Sequence, residues 1–260
     1  MMHSISIDVA AWDSPWRQHH VGAKIFLSLG LVLTALVTPA WPGCVLVAAI
    51  SATAMLACAR IPARVVGWSA LAPVSFLVLG AVVVAITLGP AADNTWVSWG
   101  WLSIGPSGVQ QAASLFAHGM AGTLAVLVLA TTTPLVDLLE WLRSLGVPAP
   151  LLDIASLTYR LLFVTLTTVF VVHEAMRNRL GDDPLGARQI HRRWHHLAAL
   201  VGSVGLRSFH RATRLNAGLE LRGFEDDLTT LPRRVPWSKG FIIATIAVIA
   251  STLLLSWGLA

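Results

Sequence analysis

Gly67-Trp-Ser-Ala-Leu-Ala-Pro-Val-Ser-Phe-Leu-Val-Leu-Gly-Ala-Val-Val-Val-Ala-Ile-Thr-Leu88 holds 22 residues without one ionisable side chain. A helix crossing a hydrocarbon core needs about 20 such residues. Four further runs are similarly long and apolar, at about Ala23–Ala40, Gly43–Ala59, Ala112–Thr131 and Lys239–Trp257. The whole chain follows: 260 residues, 55% hydrophobic and 12% charged, with mean hydropathy +0.71, where soluble domains carry about 25% charge. These numbers predict an all-α polytopic membrane protein with about five transmembrane helices.

Charge sets the expected orientation. The balance is +5, which in a membrane protein points to basic cytoplasmic loops rather than nucleic-acid binding. Arg60 and Arg64 flank Pro62 between the second and third runs, whereas the Gly89–Gln111 segment has no Lys or Arg and is read as an external loop. Basic loops stay inside, so the N-terminal arm is expected in the cytoplasm, and the last span is expected to run outward from Arg233, Arg234 and Lys239. No signal peptide is expected, because Asp8, Asp13 and Arg17 precede the first apolar run. Trp41, Trp96, Trp99, Trp101 and Trp257 would anchor the outer interface, and Trp68 and Trp237 the inner one. Cys44 and Cys58 lie in an apolar run and read as inert.

The domain reading is a 1–22 arm, a 23–132 region of four spans, a 133–234 cytoplasmic coupling domain, and a 235–260 C-terminal span. The coupling domain should contain one short amphipathic helix and two long ones. In the short helix Thr133 would be the N-cap, Leu135, Leu138, Leu139, Leu142 and Leu145 the apolar face, and Gly146 with Pro148 the stop. The second helix, about Pro150–Arg179, includes the apolar stretch Leu151–Val172. Crossing there would carry the basic Arg177–Arg222 stretch outside, so it is expected to lie obliquely without crossing, although a six-span arrangement stays open. Asp153 and Arg160 would satisfy one another or nearby backbone. Gly181-Asp-Asp-Pro184 should turn the chain into the third helix, which ends at about Leu221 with Gly223 as its cap.

Few residues invite chemistry. His191 and His195 share a helix face with His196 beside them, but no carboxylate or thiol completes a metal set. His118 is read as a hydrogen-bonded packing residue, and Glu174 and Glu220 as surface partners of nearby arginines. No phosphate-binding Gly-x-x-x-x-Gly-Lys-Ser/Thr loop occurs, so no enzyme and no cofactor is expected.

Several segments together carry a family resemblance: Ser14-Pro-Trp-Arg17 with Lys24; Thr132-Thr-Pro134 followed by Leu145-Gly-Val-Pro148; Tyr159-Arg160; and Asn178-Arg179-Leu180 with Leu221-Arg222-Gly223. Over nearly its whole length the chain resembles the transmembrane T component of energy-coupling factor (ECF) transporters, the CbiQ/EcfT family, and leans to the cobalt-type branch. Relatives show near Ala-Arg-Gly at both short motifs, and only Leu221-Arg222-Gly223 comes close. Phe163 stands where many relatives have proline. The resemblance implies a non-catalytic coupling subunit of an ABC-type importer in a bacterial or archaeal cell membrane. Its partners would be the bilayer, ATPase subunits that dock on Asn178, Arg179, Leu180, Leu221, Arg222 and Gly223, and a substrate-binding S or CbiM-like membrane subunit. The cargo would be cobalt, with a vitamin as the alternative. A self-sufficient secondary transporter is the competing class, opposed by the lack of an internal repeat or paired broken spans.

Overall fold

A computed structural model describes residues 7–88, 97–99, 102–180, 190–223 and 238–258. Nine α-helices lie within them: α1 (Ile7–Asp13), α2 (Val21–Val37), α3 (Val45–Thr53), α4 (Ala63–Ala85), α5 (Pro106–Thr132), α6 (Leu135–Ser144), α7 (Ala149–Leu180), α8 (Ile190–Glu220) and α9 (Lys239–Gly258). π-type turns flank α3 at Ala40–Cys44 and Ala54–Cys58, and the first is kinked at Trp41, whose backbone is extended (φ −125°, ψ 126°). The chain is a predominantly helical polytopic membrane protein, as the all-α reading expected, with one small sheet besides. Among the described residues, five helical segments are long and apolar enough to cross a bilayer: Ala40–Cys58, Ala63–Ala85, Pro106–Thr132, Ala149–Asn178 and Lys239–Gly258. The first expected span is shorter than its apolar run, because Pro39 stops α2 at 17 residues. That is roughly 26 Å at 1.5 Å per residue.

The chain forms two compact units, 1–141 with 233–260, and 142–232. In the first, α2, α3, α4, α5 and α9 pack around small and aliphatic side chains: Leu27, Leu31, Ala35, Val47, Met55, Ala121, Ala125 and Val128. Leu33, Leu36, Phe76, Leu79 and Val83 face outward. An apolar exterior costs nothing when lipid is the solvent, so close packing rather than hydrophobic burial holds such helices together. Small residues permit that packing. A Cβ on Gly43 would lie 2.6 Å from the Thr38 Cβ and 3.2 Å from the Ser256 Cβ, so α2, the start of α3 and the end of α9 meet where only glycine fits.

Two hydrogen bonds and one histidine contact fix α2 antiparallel to α5. Lys24 Nζ donates to Thr132 O (3.0 Å), Ser28 Oγ donates to Ala125 O (2.8 Å), and His118 Nε2 lies 3.3 Å from Thr38 O. His118 Nδ1 is 2.8 Å from Ser114 O, so His118 is the hydrogen-bonded packing residue expected of it. Ser14 Oγ donates to Ala59 O (3.4 Å), and His19 stacks on Phe241 with ring centroids 4.8 Å apart. One end of the bundle therefore gathers the N-terminal arm, the end of α3, the end of α5 and the start of α9.

At the other end lies a feature the loop reading missed. Strands β1 (Ile86–Leu88), β2 (Val97–Trp99) and β3 (Leu102–Ile104) form an antiparallel sheet in the order β1-β3-β2. Thr87 and Ser98 both pair with Ser103. Branched and aromatic residues in Ile-Thr-Leu, Val-Ser-Trp and Leu-Ser-Ile suit pleated backbone. The segment is thus partly strand and partly the first turns of α5, which opens at Pro106. Trp41, Trp68 and Trp257 are exposed, as interface anchors would be. Trp96, Trp101 and Trp237 lie outside the described residues, as does the side chain of Trp99.

Candidate functional site

α6 begins at Leu135 behind Pro134, whose carbonyl accepts the first helical bond from Leu138 N at 3.2 Å. Thr133 is not the side-chain cap expected of it. Its backbone is extended (φ −131°, ψ 109°), its N–H closes α5 on Leu129 O, and its buried hydroxyl has no hydrogen-bond partner among the described residues. Gly146 does end α6. With φ 88° it donates to Arg143 O (3.2 Å), while Val147 N returns to Leu142 O (3.4 Å). This paired closure needs a left-handed residue that glycine adopts without steric cost.

Arg143 ion-pairs with Asp153 across the connector between α6 and α7. Asp153 is 7% exposed, so its carboxylate is shielded between that guanidinium and the first turns of α7, where a negative charge suits the helix dipole. The expected Asp153–Arg160 pairing is corrected. Two helical turns, roughly 10 Å of rise, separate those positions, and Arg160 is exposed.

α7 runs unbroken from Ala149 to Leu180 and α8 from Ile190 to Glu220. Asn178, Arg179 and Leu180 are the last three helical positions of α7. Asn178 is exposed, and the side chains of Arg179 and Leu180 lie outside the described residues. The Gly181–Pro184 turn lies outside them too. Leu221, Arg222 and Gly223 form the turn that closes α8: Leu221 N donates to Ala217 O, Arg222 N to Leu219 O and Gly223 N to Glu220 O, at 3.0–3.1 Å. Gly223 has φ 71°, as a helix-terminating glycine should, and Leu221 is 89% exposed. The motif therefore stands on a fixed turn with its side chains in the open. Among the described residues no hydrogen bond joins Asn178 to the Leu221–Gly223 turn. Glu220, expected beside Arg222, instead accepts from Asn216 Nδ2 at 2.7 Å. No group of three metal-ligating side chains occurs among the described residues. His195 is exposed, and the side chain of His191 lies outside them.

The sequence reading gave no role to a polar junction at the gathered end of the bundle. Lys24 is 1% exposed and donates to the last carbonyl of α5, where the helix dipole attracts a cation. Arg17 pairs with Asp137 of α6 at 3.2 Å and lies 3.9 Å over the Trp12 ring. His20 caps α2 by accepting from Gly22 N (3.1 Å). Burial lowers the pKa of both His19 and His20, and for His19 the Lys24 cation lowers it further. The only sequence signal was a lone lysine opening an apolar run.

A family model described as "Cobalt transport protein", CbiQ, matches residues 13–232. The chain is 35% identical over 255 residues to the cobalt transport protein CbiQ of Rhodobacter capsulatus, covering 95% of this chain and 97% of the relative. It is 26% identical over 210 residues to the energy-coupling factor transporter transmembrane protein EcfT of Limosilactobacillus fermentum, covering 77% of each. It is 25% identical over 178 residues to a putative fused cobalt transport protein CbiMQ of Methanocorpusculum labreanum, covering 67% of this chain and 30% of the relative. A unit of packed apolar helices, a second unit with the long helices α7 and α8, and a family match over most of the sequence agree, and the chain belongs to the CbiQ family of cobalt transport proteins.

Proposed function

We propose that this protein is the non-catalytic transmembrane coupling subunit of an ECF-type ABC importer for cobalt. ATPase subunits dock on Asn178-Arg179-Leu180 and Leu221-Arg222-Gly223. A guanidinium can enter an acidic groove and pair bidentately with a carboxylate, a geometry lysine does not reproduce. Closure of the ATPase pair displaces the two helix ends, and α7 and α8 transmit that displacement to a substrate-binding membrane subunit. The N-terminal arm and the Arg60–Arg64 segment face the cytoplasm of a multi-pass cell-membrane protein, by the charge rule. Membership in a family that contains cobalt transport proteins supports the choice of cargo, and the fused CbiMQ relative supports a membrane partner.

The observation that carries this reading is the Leu221–Gly223 turn: an exposed arginine at the end of a helix of 31 residues, held by a left-handed glycine. The test is co-purification with the ATPase subunits, together with cobalt uptake, for wild type and for R179A/R222A. The double variant should keep its elution profile in detergent and lose both ATPase retention and uptake. Full ATP-driven uptake by that variant would overturn the coupling role. Uptake by the wild-type chain without any ATPase would favour a secondary transporter.

A further inference from the structure

α8 carries Arg192, Arg193, Arg207, Arg211 and Arg214 against a single carboxylate, Glu220, at its far end. Arg207, His210, Arg211 and Arg214 follow the i, i+3, i+4, i+7 spacing of one helix face. They line one wall of a groove of about 500 Å3 whose other wall is α7, with Val164 and Thr168 opposite them. None of the three arginines has an ion-pair partner among the described residues. Arg214 Nε donates to the His210 carbonyl of its own helix (3.2 Å), and Thr168 spends its hydroxyl proton on Val164 O (2.9 Å). Besides the His210 ring, the donors left along the groove are the arginine guanidiniums, and no carboxylate lines it among the described residues.

The α7 wall is of the opposite character. α7 is apolar enough to cross a bilayer, and Leu161, Leu162, Leu166 and Val169 line a second, apolar groove along the same helix. A free phosphate would satisfy only the arginines. A molecule with a phosphate at one end and a hydrocarbon chain at the other satisfies both walls. We propose that the α7–α8 groove is a binding site for an anionic phospholipid, its phosphate held by Arg207, Arg211 and Arg214 and its acyl chain lying along α7. Basic grooves beside apolar helices select anionic headgroups in this way. The ATPase and the paired arginine motifs play no part in it.

The test is native mass spectrometry of the delipidated full-length chain with dioleoyl phosphatidylglycerol or dioleoyl phosphatidylcholine at equal concentrations. The wild type should retain phosphatidylglycerol in preference. Each arginine near a headgroup contributes about fivefold, so R207Q/R211Q/R214Q should lose roughly a hundredfold in affinity. The triple lysine variant should keep part of the preference, and R64Q all of it. If the triple glutamine variant does not elute as a single species, R211Q alone should still lose about fivefold. Equal retention of the two lipids by wild type would overturn the proposal, as would an unchanged preference in the glutamine variants. Displacement of phosphatidylglycerol by millimolar inorganic phosphate would overturn it too, since the site would then serve the anion alone.

Discussion

The Lys24 ammonium donates to the Thr132 carbonyl at 3.0 Å, placing a buried cation on the negative end of the α5 backbone dipole. Residues 108 apart in sequence thereby lock the start of α2 to the end of α5. In the K24M variant the side chain keeps its length, but the carbonyl loses a charge-assisted donor where water does not reach. A buried hydrogen bond to a charged group is worth about 2 kcal/mol. K24M should therefore unfold at lower denaturant by about that amount, with the unfolding slope unchanged. K24R should fall between the two, because guanidinium supplies the donor but overfills the site. The measurement is equilibrium unfolding in mixed micelles followed by tryptophan fluorescence.

His19 makes stability depend on pH. Burial against Phe241 and the nearby Lys24 cation hold its pKa below the usual 6.5. The unfolded chain therefore takes up a proton first as pH falls, and protonation favours unfolding. Stability should be flat above neutrality, decline as pH drops through 6.5, and level off only below the depressed folded value. The H19F variant keeps an aromatic ring on Phe241 and removes the titration, so its decline should be shallower. Melting temperatures in detergent between pH 5 and 8 would check this. A wild type that gains stability on acidification would have the sign wrong.

How much of this was legible in the chain depends on how local each signal is. Apolar runs without charges mark spans by themselves, and Gly146 and Gly223 announce helix ends because their neighbours supply the closing hydrogen bonds. The Arg17–Asp137 and Lys24–Thr132 contacts leave no such trace, since each joins residues more than a hundred positions apart. Asp153 shares a helix with Arg160, so Arg160 or nearby backbone is the partner the sequence suggests, whereas the short connector after Gly146 folds Arg143 back onto it. The three-residue strands are too short for a period of two to stand out. Thr133 and Pro134 look like a helix start and are one, but the buried threonine hydroxyl takes no part in it.

Arg60 takes the left-handed conformation, with φ 53°, at the exit of the α3 segment. Ile61 N returns to Met55 O at 3.0 Å, and Pro62 blocks continuation of the helix. A Cβ in this region costs about 1 kcal/mol, which glycine avoids. R60G should therefore raise stability by up to about 1 kcal/mol, less the entropy glycine adds to the unfolded chain. If the arginine is held there by charge alone, R60K should match wild type and R60G should not gain. Comparing the three unfolding midpoints separates backbone strain from charge.

The Arg143–Asp153 pair should stabilise the start of the second unit. Removing the arginine takes the cation from Asp153, whose side chain is 10% exposed, a change that costs about 3 kcal/mol for a fully buried pair. The cost here should be smaller, about 1–2 kcal/mol, since Arg143 is 33% exposed and the first turn of α7 still favours a negative charge. D153N, which removes the charge but keeps the shape, should cost less than R143A. Adding R143A to D153N should then cost little more, because the desolvated charge is already gone. The two positions touch, so their effects should fail to add, and a double-mutant cycle gives the coupling directly. Limited proteolysis near the α6–α7 connector should show R143A cleaved fastest, D153N intermediate and wild type slowest, provided the ion pair is what holds the two helices at that joint.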